Sequence, residues 1–116
     1  MFLYRQRDIV LVPFPFTDAT TAKQRPVLVV SANEINLSKD SDFIGLAITS
    51  KFHGGKYSFV ITGKECEGGK LLVNSEVQCN KIATIQKSLV LKKLCKIKED
   101  AYQKVVDKLK LSLHIQ

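Results

Sequence analysis

KQRPVLVVS, Lys23 to Ser31, sets an arginine and a proline directly before a run of apolar residues. Val27 to Val30 read as a strand, continuous enough in its apolar residues to be buried on both faces. Pro26 restricts Arg25 to an extended backbone and begins that strand. The guanidinium is therefore expected on a rigid element, at the foot of the segment before it. Two readings of Arg25 stand side by side. It can form a surface ion pair at a strand start. It can also present a charged fork that takes phosphate bidentately and keeps its charge at any working pH.

Upstream, DIVLVPFPF begins as a strand, with Ile9, Leu11 and Phe14 available to different faces. Pro13 and Pro15 cannot donate ladder hydrogen bonds and mark the strand's end or an edge position. Of the two rings that follow, Phe14 is expected in the core. TDATTAK is polar and turn-rich, so the two strands predict a hairpin with a long tip from about Pro15 to Gln24. Long ordered loops on small domains commonly carry function.

Downstream, SANEINLSKD suits a short helical turn capped by Ser31 or Asn33. DFIGLAITS is a third strand, KFHGGK a glycine loop, YSFVIT a fourth strand and GKECEGGK a turn. The two GGK triplets read as hairpin turns. LLVNSEVQC and KIATI are strand pieces, and KSLVLKKLCKI continues as strand or strand and turn. KEDAYQKVVDKLKLSL is a helix: Ala101, Val105, Leu109 and Leu113 recur every four residues, and Glu99 and Asp100 suit its first turn. Many short strands followed by one terminal helix predict a mainly β fold. The expected form is a small, strongly curved sheet or barrel capped by helix, rather than alternating βαβ units.

The 116 residues fit one domain, 1–116, with 45% hydrophobic and 25% charged residues in an ordinary soluble balance. No 18-residue apolar run points to a membrane, and the N-terminus has no apolar core of signal-peptide type. A cytoplasmic protein is expected. Three cysteines, Cys66, Cys79 and Cys95, contain no CxxC pair, so reduced thiols are expected and no zinc site. Cys79 and Cys95 lie among apolar residues and are expected in or near the core. Residues 1–50 balance five basic against five acidic groups, whereas residues 51–116 hold thirteen basic and six acidic, so the whole +7 surplus lies there. That asymmetry suits a polyanion or an acidic protein partner, though lysines also decorate ordinary solvated surfaces.

No GxSxG, phosphate-loop or HExxH pattern occurs. His53 sits in the glycine loop and His114 at the far end, too distant in sequence to pair as acid and base. Asp40 and Asp42 are explained by turn solvation and capping. What remains is Arg25 with Thr49-Ser50 at the polar end of the third strand. A fork and a hydroxyl together can stabilise charge building on phosphorus. Thr49 is equally at home as an ordinary β-branched strand residue.

The ordered set RDIVLVPFPF…KQRPVLVVS, then GLAITS, then LLVNSEVQCNKIATIQKSLV and a terminal helix, resembles the MazF/PemK-like toxins of bacterial type II toxin–antitoxin systems. The resemblance runs from Asp8 to the final helix. It implies an SH3-like, strongly curved β-barrel with a C-terminal helix, usually a homodimer. It implies an endoribonuclease that cuts single-stranded RNA with no cofactor or metal, inhibited by an acidic antitoxin. The catalytic arginine and threonine of the family fall on Arg25 and Thr49. RNA contacts fall on Phe16, Thr17, Lys23 and Gln24 around the hairpin tip, on Ser50 and Lys51, and on Asn80 and Lys81. The implied products are a 2′,3′-cyclic phosphate and a 5′-hydroxyl.

The chain departs from the pattern at several positions. Arg7 stands where family members usually have glycine, and Ala83 where many have arginine. Asn80 stands where some members carry an aspartate implicated as base, and an amide cannot serve in that role. Lys81, Lys87 or Lys51 are the candidates to replace the missing arginine. The base is left open. So are two other functions: a non-enzymatic, CcdB-like poison that binds a protein such as DNA gyrase, and a degenerate member that binds only RNA or antitoxin.

Overall fold

Strict alternation along β1 (Asp8–Phe14) sends its side chains into two apolar clusters. Ile9 and Leu11 join Leu28, Leu46, Ile48, Val77, Cys79 and Cys95 in the larger one. Val10 and Val12 join Val27, Val29, Phe43 and Ile85 in the other. Most of β1 and residues 27–29 of β2 (Lys23–Val29) are thus buried on both faces, and each fully buried Val, Leu or Ile contributes roughly 1.5–3 kcal/mol. The computed structural model describes residues 4–14 and 23–116.

Among the described residues seven strands form one antiparallel sheet that curls into a nearly closed barrel. After β1 and β2 come a short helix α1 (Asn33–Leu37), β3 (Phe43–Thr49) and β4 (Ser58–Ile61). β5 (Cys66–Glu67), β6 (Ser75–Ile85), β7 (Lys92–Ile97) and helix α2 (Glu99–Ser112) complete the order. Across the sheet the strands run β4-β6-β3-β2-β1-β7-β5. Ala101 and Val105 of α2 close the larger cluster, with Leu109 packed at its margin, while Leu113 lies past the helix end and half exposed.

Several sequence expectations need correction. β2 begins at Lys23, so Arg25 lies within the strand, opposite Val12, and not at its start. The proline is tolerated because pairing to β3 begins only at Val27. Pro13 likewise lies beyond the pairing of β1 with β7, which ends at Leu11. The N-cap of α1 is Ala32, without a side-chain cap; Ser31 and Asn36 bond each other instead. Neither GGK is a hairpin turn. β3 and β4 flank β6 on opposite sides, and β5 and β6 are not neighbours. Their glycines enter left-handed backbone, and a Cβ on Gly69 would come within 2.0 Å of the Leu94 carbonyl oxygen. The two strand pieces around Asn80 are one eleven-residue strand, β6.

The N-terminal corner carries its own strain. Arg7 has φ +80°, a left-handed conformation that an L side chain enters at a cost. It is held there from both sides: its N–H donates to the Val29 carbonyl at 2.9 Å, and its own carbonyl accepts from Ile97 N–H at 3.0 Å. A glycine here would adopt the same backbone without strain. Buried Asp8 follows. Its Oδ2 accepts from Arg5 N–H at 2.8 Å, and its Oδ1, which makes no hydrogen bond, is balanced by Lys93 Nζ at 3.2 Å.

Candidate active site

β2 and β3 run antiparallel with Val27 opposite Ala47. That register, carried two residues further, sets Arg25 across from Thr49, and both line one cleft of about 210 Å³. Phe14, Pro26, Val27, Ala47 and Ile48 supply its apolar lining. His53, Gln78 and Lys81 supply the rest of its polar lining. Phe14 is 47% exposed, so the ring expected in the core belongs instead to the cleft. Pairing of β1 with β7 ends at Leu11, while Pro13 and Phe14 still pair with Gln24 and Lys23 of β2.

Arg25 is partly buried, anchored by the valines that follow it in the same strand. Its fork is held on a strand and is less screened than a free surface charge would be. The Thr49 hydroxyl accepts from Lys51 N–H at 3.1 Å. That bond uses an acceptor lone pair and leaves the hydroxyl proton to donate into the cleft. The fork and the hydroxyl supply donors to one anionic group, and among the described residues no carboxylate lines the cleft.

Glu76 lies beneath. It pairs with Thr49 in the β3–β6 register, is fully buried, and accepts from His53 N–H at 3.2 Å and Gly54 N–H at 3.1 Å. Burial on its own raises a carboxyl's pKa. Here the amides of Gly54 and His53, the Ser58 hydroxyl and the charge of His53 outweigh that burial, and Glu76 sits below the usual carboxylate range. The carboxylate thus ties down the loop after β3 and delivers His53 to the cleft. Sequence reasoning alone does not single out His53 or Gln78. The available signal was a histidine four residues after Thr49, within a glycine loop.

A second groove of about 290 Å³ adjoins the first and shares His53, Gln78 and Lys81 with it, adding Lys56, Tyr57 and Asn80. A third, of about 230 Å³, lies against Arg25 and Pro26 as well, and includes Gln24, Ser50 and the Leu71–Val73 segment. The expected site residues thus divide. Arg25, Thr49 and Lys81 share the central cleft, Asn80 joins Lys81 in the adjoining groove, and Gln24 and Ser50 share the third. Lys23 and Lys51 are exposed and line none of the three. Phe16 and Thr17 lie outside the described residues. Lys87, a candidate for the missing arginine, donates its amine to the carbonyls of Ile35 and Ser38 and so clamps α1.

Other nucleophiles are silent. Burial pushes the Cys79 thiol up to about 11 and Cys95 to about 12, and raises Cys66 as well. Among the described residues no group of three or more His, Cys, Asp or Glu side chains is placed to hold a metal ion, and no helix is long and apolar enough to cross a membrane.

The family model for the PemK-like, MazF-like toxin of type II toxin–antitoxin systems matches residues 5–113. Among solved structures, the fold is similar to that of MazE-MazF from Deinococcus radiodurans, with a TM-score of 0.78 at 18% identity over 99% of this chain and 100% of that one. It is similar to an endoribonuclease from a Mycobacterial species, TM-score 0.77 at 17% identity over 99% and 95% of the two chains. A Mycobacterial endoribonuclease in complex with its cognate antitoxin gives a TM-score of 0.74 at 15% identity, over 97% of each chain. At these identities the likeness establishes the fold. No curated protein matches the chain by sequence.

Proposed function

The chain belongs to the PemK-like, MazF-like toxins of type II toxin–antitoxin systems, and on that premise we propose that it is a cytoplasmic endoribonuclease toxin that cuts single-stranded messenger RNA. The observation that carries this reading is the meeting of Arg25 and Thr49, from adjacent strands, in one cleft. A protein that only binds another protein has no need of that pair.

In the proposed reaction the RNA 2′-hydroxyl attacks its own phosphate. The O2′–P bond forms, the P–O5′ bond breaks, and the products are a 2′,3′-cyclic phosphate and a 5′-hydroxyl. Arg25 bonds the phosphate oxygens as charge builds on them, and Thr49 donates its hydroxyl proton to the same group. A guanidinium keeps its proton, so Arg25 is an electrostatic stabiliser and not a base. DNA lacks the nucleophile and survives. Lys81 in the cleft and Lys56 beside it attract the flanking phosphates. Gln78 and Asn80 offer amides that can read base edges, which supports sequence selectivity. An acidic antitoxin suits the +7 chain, and a homodimer is the assembly that goes with the family reading.

The test is end-mapping of single-stranded RNA treated with purified protein in chelator. The expected result is cleavage leaving 5′-hydroxyl ends, lowered on the order of 10²–10³-fold or more by Arg25→Ala. Intact RNA together with arrested growth would move the function to a protein target.

A further inference from the structure

The reaction above needs a group to take the proton of the 2′-hydroxyl, and Asn80, in the adjoining groove, is an amide that cannot serve as a base. We propose that His53 is that general base, an inference that rests on the ribonuclease reading. The cleft lining holds Arg25, Lys81 and His53 as its ionisable side chains. Arginine stays charged at any working pH, and a lysine ammonium has no lone pair to accept with. Histidine is the side chain whose charge changes between about pH 5 and 8. Among the described residues that line the cleft, His53 is the ionisable side chain with a nitrogen lone pair that can accept a proton.

The placement of His53 is built, not incidental. It reaches the cleft from the loop after β3, and that loop is fixed by a buried carboxylate bonded to two consecutive amides, those of His53 and Gly54. Ser58 adds a hydroxyl bond to the Gly54 carbonyl at 2.9 Å. Gly54 and Gly55, at φ +68° and +101°, make the turn that a chain of L side chains would resist. Buried Glu76 therefore acts as a positioning residue for the imidazole. His53 also lines the adjoining groove with Lys56 and Asn80, so it stands where a strand of RNA passes from one groove to the other.

The step balances without a further reactant. An imidazole nitrogen takes the 2′-hydroxyl proton as the O2′–P bond forms. The 5′-oxygen leaves and takes a proton from solvent, and the imidazolium returns its own to solvent. The charged and titratable groups around His53 are Arg25 from β2, Glu76 and Lys81 from β6, and Lys56 and Tyr57 from its own loop. Lys108 of α2 reaches that loop through the Lys56 carbonyl, at 3.1 Å.

The test is the pH dependence of single-stranded RNA cleavage by the full chain, as wild type, His53→Gln, His53→Asn and His114→Gln. Folding of each is checked by thermal melting; His53 is exposed and its backbone bonds survive substitution. The wild type should lose rate on the acid side of the histidine range. Both His53 variants should fall by about 10²–10⁴-fold and lose that acid limb, with partial rescue by added imidazole. His114→Gln should match the wild type. If a folded His53→Gln protein cuts within about threefold of wild type, or keeps the acid limb, this proposal is overturned and the ribonuclease reading stands. If the wild type leaves RNA whole, both are overturned together.

Discussion

Asp8 and Glu76 are the same device used at two places. Each is a fully buried carboxylate at the start of a strand, and each accepts from the backbone of a short segment that contains a residue with positive φ. Asp8 takes one amide, and its second oxygen faces Lys93, whose side chain is 39% exposed. Glu76 spends both oxygens on amides of a single loop. The first closes the corner where β1 enters between β2 and β7. The second holds a loop that lines the cleft. A buried carboxylate can thus serve the frame or the site, and what it bonds decides which.

The sharpest way to break this contrast is Glu76→Gln. An amide has one accepting oxygen, so one of the two loop N–H groups loses its partner. Hydrogen bonds to a charged group are worth about 1.5–3 kcal/mol, and melting should fall accordingly. Cleavage should fall further than stability implies, by about 100-fold, because the loop that places His53 is loosened. There is also a pH signature. The folded pKa of Glu76 is lowered, so its stabilisation is present above the ordinary value of 4.5 and is lost as pH falls through the folded value. Wild-type melting should therefore drop on acidification, and the glutamine variant should show less of that drop.

Asp8→Asn should separate the two functions from the other side. Lys93 is exposed enough to rehydrate once the charge is gone, so the loss is about 1–2 kcal/mol and not the penalty of a stranded buried ion. RNA cleavage at a temperature where the variant is folded should match the wild type. A large loss of cleavage here would show that the corner and the cleft are not independent.

The same contrast explains what the sequence could disclose. Val27 to Val29 and the four-residue spacing in α2 were legible because each is a local pattern whose burial follows from periodicity alone. Arg25 and Thr49 were legible as residue types in order, but their meeting depends on the β2–β3 register, which no local pattern states. β6 read as two pieces because exposed Asn80, Lys81 and Ile82 interrupt its buried run. The GGK triplets were misread because long-range pairing, not turn chemistry, decides which strands are neighbours. His53 was illegible for the same reason: its position rests on a carboxylate 23 residues away.

Arg7→Gly gives the smallest effect and tests the frame alone. Left-handed backbone costs an L residue roughly 1–2 kcal/mol, and glycine escapes that term. Glycine's greater freedom in the unfolded chain takes back roughly 0.5–1 kcal/mol. The guanidinium's contact with the Ile97 carbonyl is long, at 3.4 Å, so its loss changes little. The net gain is about 0.5–1 kcal/mol, a rise in melting temperature of about 2–4 °C, with cleavage unchanged. A fall in melting temperature instead would mean that the arginine side chain contributes more than its backbone strain removes. Tyr102 is the neighbour to examine then. Burial pushes its hydroxyl up to about 12, and Arg7 is the positive charge that acts against that rise.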